Sequence, residues 1–125
     1  MILKGLYNTK IDRMRTDQYK SYMFNKLGIM IDEDLSSYKS KGFIMKDIWY
    51  RLYIPYIENG DIFSFKRENM EYFGCFYGII ELKRKVKELI KENPERFIEF
   101  AHIIRKDYDL WLRSSQQLHT EQPIP

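Results

Sequence analysis

The chain has 125 residues, a formal net charge of +3 and a single cysteine, Cys75. That length suits one domain with a core that closes without metals or disulfides, and a lone thiol excludes an intrachain disulfide and points to a reducing, cytoplasmic setting. No apolar run reaches the roughly 20 residues of a membrane span, and Lys4 and Asn8 interrupt the apolar start that a secretory signal requires, so no membrane partner is expected.

Isoleucine, lysine, tyrosine and phenylalanine are abundant, while Ala101 is the only alanine and Val86 the only valine. Selection for helix stability does not favour that bias, because alanine is the best helix former. AT-rich codons produce it, so the composition points to a low-GC bacterium or to a phage or mobile element living in one. Charge is uneven along the chain: residues 1–30 carry six bases and two acids, residues 31–81 six bases and nine acids, residues 82–113 nine bases and six acids.

In chain order, Thr16-Asp17 reads as the cap of a helix that carries Tyr19, Tyr22, Met23 and Leu27 inward and stops at Gly28. Ile29-Met30-Ile31 reads as a short strand. Asp32 then looks like an N-cap, with Leu35 and Tyr38 inward and Gly42 as the stop. Phe43 to Tyr53 reads as a buried helix, with Ile44, Ile48 and Leu52 on one row and Met45 and Trp49 on the next, ended by Pro55. Asn59-Gly60 is the strongest turn signal; a type I′ hairpin there would pair Ile57 with Ile62, Tyr56 with Phe63 and Ile54 with Phe65. Ile79, Leu82, Val86, Leu89 and Ile90 recur at helical spacing, and Asn93-Pro94-Glu95 restarts the chain as a second helix along Phe97, Ala101, Ile104, Tyr108 and Trp111 to about Arg113. The expected fold is therefore mainly α (α+β with one small β-hairpin), with five or so helices, ending in a C-terminal antiparallel helix pair. Residues 1–113 form the compact domain and 114–125 a flexible tail.

Catalytic motifs are sparse. Only His102 and His119 are available as imidazole bases, and Cys75 sits in Gly74-Cys75-Phe76-Tyr77-Gly78, a setting normal for a buried structural thiol. Glu99 and His102 form one E-x-x-H pair where a di-iron bundle needs two, and structural zinc needs more Cys and His than the chain holds. The sequence implies no enzyme, no cofactor and no metal.

Twenty residues are aromatic, and eleven of them fall between Phe43 and Tyr77 in a stretch without excess positive charge. Tyr and Trp anchor protein interfaces, whereas phosphate binding needs cations. The belt therefore implies a small regulator or inhibitor that binds a protein, for example a host enzyme or defence system, with Tyr50, Tyr53, Tyr56 and Tyr72 as interface candidates. Trp49, Phe63, Phe65, Phe73 and Phe76 are expected in the core. The alternative is a winged-helix-like nucleic-acid regulator, with Phe43–Tyr53 as recognition helix and the Asn59-Gly60 hairpin as wing. Its cations would be Arg13, Arg15, Lys20, Lys26, Lys83, Arg84 and Lys87. Homodimerisation through the C-terminal helices is compatible with either.

Overall fold

A computed structural model describes residues 5–121. The elements run α1 (Thr9–Asp12), α2 (Thr16–Leu27), β1 (Met30–Ser40), β2 (Phe43–Ile54), β3 (Ile57–Glu58), β4 (Asp61–Ile62), a 3-10 turn (Arg67–Asn69), β5 (Glu71–Tyr77), α3 (Ile79–Glu92) and α4 (Pro94–Glu121). Strands β1, β2 and β5 form an antiparallel sheet in that order, and β3 and β4 a separate two-stranded ribbon. The architecture is α+β, which corrects the expectation of a mainly helical chain.

The correction concentrates in residues 30–54. Asp32 to Gly42 and Phe43 to Tyr53 are not two helices but the arms of one long hairpin, paired without a shift from Met30↔Tyr53 to Ser40↔Phe43. Gly42 is not a helix stop. It is the second of two turn residues with positive φ, Lys41 at 52° and Gly42 at 81°, the backbone that a type I′ turn demands. The row Ile44, Ile48, Leu52 is spaced by four, which places its members on one side of a strand as well as of a helix. Ile48, Trp49, Tyr50 and Tyr53 are all residues that favour a pleated surface. A winged-helix topology is overturned with the helices, because the segment assigned to recognition is the central strand.

The Asn59-Gly60 turn forms as expected, with φ of 54° and 77°. Ile57 pairs with Ile62 and Glu58 with Asp61, and Phe63 donates its backbone N–H to Tyr56 at 2.9 Å. Ile54, however, faces Glu71 at the end of β2 rather than Phe65. Gly28, at φ 68°, ends α2, and Asn93-Pro94 separates α3 from α4. Helix α4 continues to Glu121, past the expected end near Arg113, and its main helical neighbour is α2 rather than α3.

One face of the sheet builds the core. Ile31, Tyr50, Leu52 and Ile54 pack against Tyr19, Met23 and Leu27 of α2, the Leu82, Val86, Leu89, Ile90 stripe of α3, and Phe97 and Phe100 of α4. Full burial of each such side chain contributes about 1.5–3 kcal/mol. At one edge Tyr7 donates to Asp12 at 2.9 Å, so its oxygen must accept from Tyr19, also at 2.9 Å. Lys83 then closes α1 by donating to the carbonyls of Asp12 and Met14 at 2.8 and 2.7 Å.

Candidate functional site

Strand alternation sends the odd-numbered residues of β2 away from the helices. In register, Asp34, Trp49 and Tyr77 form one row, Asp32, Arg51 and Cys75 the next, and Met30, Tyr53 and Tyr72 a third. The third row depends on a bulge between Leu52 and Tyr53, where β5 inserts Phe73 and so returns Tyr72 to the outer face beside Tyr53. Among the described residues no helix covers this face, and Trp49, Tyr72 and Tyr77 are 37, 53 and 57% exposed. The outer grid measures about 10 Å across the strands and about 14 Å along them, from strand spacing and rise.

Its aromatic rows are ordered. Trp49 and Tyr77 meet edge to face with centroids 5.1 Å apart, and Tyr53 and Tyr72 lie 5.3 Å apart. Tyr77 also donates its hydroxyl to Asp47 at 2.8 Å. Between the rows, Arg51 donates to Asp34 at 2.6 Å, and that carboxylate is the main reason the Arg51 guanidinium is held further toward its charged form. Arg67 Nη1, from the 3-10 turn, lies 2.7 Å from Asp32 Oδ2 at an angle that makes the contact Coulombic rather than a hydrogen bond. Two guanidiniums therefore share the face with three carboxylates, Asp32, Asp34 and Asp47. Such a surface offers rings, hydroxyls and neutralised charge, and no spare cation for a phosphate.

The expected interface tyrosines divide. Tyr72 is exposed and Tyr53 half-buried, both within the grid. Tyr56 is 47% exposed in the strand-to-ribbon connection. Tyr50, by contrast, is a core residue at 4% exposure, because it shares the inner face with Leu52. Of the rings expected in the core, Phe73 and Phe76 pack against it, whereas Trp49, Phe63 and Phe65 are exposed. Cys75 is exposed in the middle row of the grid, on β5, not buried. The signal that would have placed Trp49, Arg51 and Tyr53 together is their two-residue spacing, which the four-residue rows beside them obscured.

Three of the cations proposed for nucleic acid are already engaged within the chain. Lys20 pairs with Glu33 at 3.2 Å, Arg84 with Glu81 at 2.9 Å, and Lys83 is engaged with α1. Arg15 and Lys87 are exposed, and Arg13 and Lys26 line a common cleft. His102 is exposed on α4. Among the described residues no group of three or more His, Cys, Asp or Glu side chains is arranged to hold a metal ion, and no helix is long and apolar enough to cross a membrane.

Two elements run past the core. The distal half of the β1–β2 hairpin exposes Leu35, Phe43, Ile44 and Ile48, and the second half of α4 exposes Tyr108, Leu110 and Trp111. Comparison with protein-family models, with curated proteins and with solved structures finds no match to this chain.

Proposed function

We propose that this protein is a small, non-enzymatic regulator that binds another protein through the outer face of its sheet. The observation that carries this reading is the grid of Trp49, Tyr77, Tyr53 and Tyr72 around a charge-paired centre. Buried Tyr and Trp supply much of the energy of protein interfaces at low entropic cost, and the Arg51–Asp34 and Arg67–Asp32 pairs present charge that is already neutralised. The grid alone is smaller than the ~800 Å² per partner of a stable interface, so the exposed hairpin beyond it, Phe43 included, would extend the contact. A cytoplasmic setting follows from the single thiol. The low-GC composition favours a phage or mobile-element protein, with a host enzyme or defence system as the class of target.

The test is affinity capture from a low-GC host lysate with the native chain and with a Trp49→Ala/Tyr72→Ala variant whose folded state is checked by circular dichroism. A stoichiometric protein retained by the native chain and lost by the folded variant supports the reading. Tight, salt-steep binding of single- or double-stranded DNA by the native chain, weakened by the same variant, would overturn it in favour of base stacking on the grid.

A further inference from the structure

On the helical side of the molecule, α2 and α4 pack together, and the C-terminal half of α2 and residues 101–108 of α4 leave a groove of about 730 Å³ open along one side. Leu6, Leu27, Ala101 and Ile104 form its apolar lining, and Tyr22 and Tyr108 contribute rings. The stripe continues along α4 beyond the groove through Trp111, which is 62% exposed. Spacings of four and three carry it from Phe97 through Ala101, Ile104 and Tyr108 to Trp111. Phe97, at the start of this stripe, is buried by the protein's own core; its end is not.

The rim of the groove is basic. Lys26 and Arg105 border it, and Tyr22, Asn25 and Lys26 also line a second cleft between α1 and α2, which brings in Lys10 and Arg13. Asp17 is the one acid lining either cleft. Arg105 reaches Asp109 at 3.4 Å, but Lys10, Arg13 and Lys26 have no carboxylate within ion-pair distance among the described residues. The contrast with the outer sheet face is sharp, since there every guanidinium has its own acid. Unpaired cations beside an apolar trough are what an acidic amphipathic segment needs: apolar side chains at i, i+3, i+4 and i+7 enter the trough while Asp and Glu meet the rim. From Ala101 to Tyr108 the trough runs two helical turns, about 10 Å, and Trp111 adds most of a third.

We propose that this groove is a second docking site, one that takes an acidic amphipathic helix from a partner protein. Its cations set the sign of the partner and its apolar lining sets the spacing. A nucleic-acid strand fits less well, because Leu27, Ala101 and Ile104 line the trough with aliphatic groups that branched and straight apolar side chains fill better than the polar-edged bases do.

Fluorescence anisotropy tests the proposal with a labelled 16-residue helical peptide that carries Leu at i, i+3, i+4 and i+7 and Glu elsewhere. Saturable binding is expected, at least tenfold weaker for Arg13→Glu/Lys26→Glu and several-fold weaker for Tyr108→Ala. Lys87→Glu, an exposed charge change on α3, should leave it within twofold. The same peptide with Lys in place of Glu should not bind. Equal binding of the Lys peptide, loss of binding in Lys87→Glu to the same degree as in the groove variants, or absence of binding at ~100 μM would overturn the proposal. So would displacement of the peptide by a 16-nucleotide oligothymidylate at equal concentration. None of these outcomes depends on Trp49 or Tyr72, so the two docking sites stand or fall separately.

Discussion

Arg96 occupies the third position of α4, where the positive end of the helix dipole disfavours a cation by about 0.3–1 kcal/mol. Its tertiary contacts must therefore offset a local penalty. The guanidinium donates to the carbonyl of buried Pro55 at 3.1 Å, pairs with Glu71 at 2.8 Å, and lies 6.0 and 5.6 Å from the ring centroids of Phe73 and Phe100. One side chain thus ties the start of α4 to the end of β2 and the start of β5. A charged bond to a buried carbonyl is worth about 1.5–3 kcal/mol, a half-exposed ion pair about 0–1, and each ring contact about 0.5–1. After the dipole penalty, Arg96→Ala should destabilise the fold by about 2–5 kcal/mol, a fall of about 1–3 M in the urea midpoint for a chain this size. Arg96→Met keeps an apolar stem near the rings and should cost about half to two-thirds as much. Glu71→Gln removes only the exposed pair and should cost less than about 1 kcal/mol. Equilibrium urea unfolding followed by tryptophan fluorescence measures all three. An Arg96→Ala midpoint within 0.3 M of the native chain, or a Glu71→Gln effect as large as that of Arg96→Ala, would refute the assignment of the Pro55 carbonyl as the main partner.

Burial raises the hydroxyls of Tyr7 and Tyr19 far above their ordinary value of 10.0. The unfolded chain releases these protons above about pH 10 while the folded chain retains them, so stability should hold from pH 7 to 9. It should then fall by up to about 1.4 kcal/mol per pH unit for each ring; urea midpoints between pH 8 and 11.5 report the slope, and Tyr19→Phe should make it shallower. Gly28→Ala combines a left-handed backbone with a Cβ that would lie 3.2 Å from Phe65, whereas Gly60→Ala, also left-handed, meets nothing within 4 Å. Thermal unfolding should show losses of about 2 kcal/mol and about 1 kcal/mol respectively, and equal losses would show that the Phe65 contact carries no cost. Tyr50→Ala opens a core cavity and should cost about 3–5 kcal/mol, while Tyr72→Ala on the outer face should cost less than about 1; the same urea series decides whether the two faces are assigned correctly.

The helical parts of the fold were legible because their signals have one meaning. Leu82, Val86, Leu89 and Ile90 fit no strand, and proline at 94 leaves one place for the second helix to start. Asn59-Gly60 was legible because both residues accept positive φ. Lys41-Gly42 adopts the same backbone, but lysine rarely does, so the longer of the two hairpins had no visible turn. Asp32-Glu33-Asp34 concealed β1, since acids are poor strand formers and good helix caps. They are tolerated there because β1 is an edge and their charges are met by Arg67, Lys20 and Arg51 from other parts of the chain. A pattern of four-residue spacings in β2 then completed the wrong assignment. The aromatic belt was legible as dense and without excess positive charge, but its division into a buried Tyr50 and an exposed Trp49 is a property of alternation, invisible while the segment was taken for a helix.

That alternation also makes the outer face rigid. Each grid residue of β2 is flanked in sequence by one that the core fixes, Trp49 and Arg51 by Tyr50, Arg51 and Tyr53 by Leu52. Its rings are held against cross-strand partners before any ligand arrives, so little side-chain entropy remains to be lost on binding. The α2–α4 groove is built the opposite way, from an apolar lining with Lys26 at its rim and Lys10 and Arg13 in the adjoining cleft, cations without a carboxylate in ion-pair range among the described residues. The two surfaces should therefore respond differently to ionic strength. A partner seated on the grid meets charges already neutralised in place, and its affinity should change little between 50 and 500 mM salt. A partner in the groove exchanges solvated cations for ion pairs, and its association should slow steeply across the same range. A captured protein whose binding is lost in Trp49→Ala/Tyr72→Ala yet collapses with salt would contradict the charge pairing of Arg51 with Asp34 and of Arg67 with Asp32, on which the character of the sheet face rests.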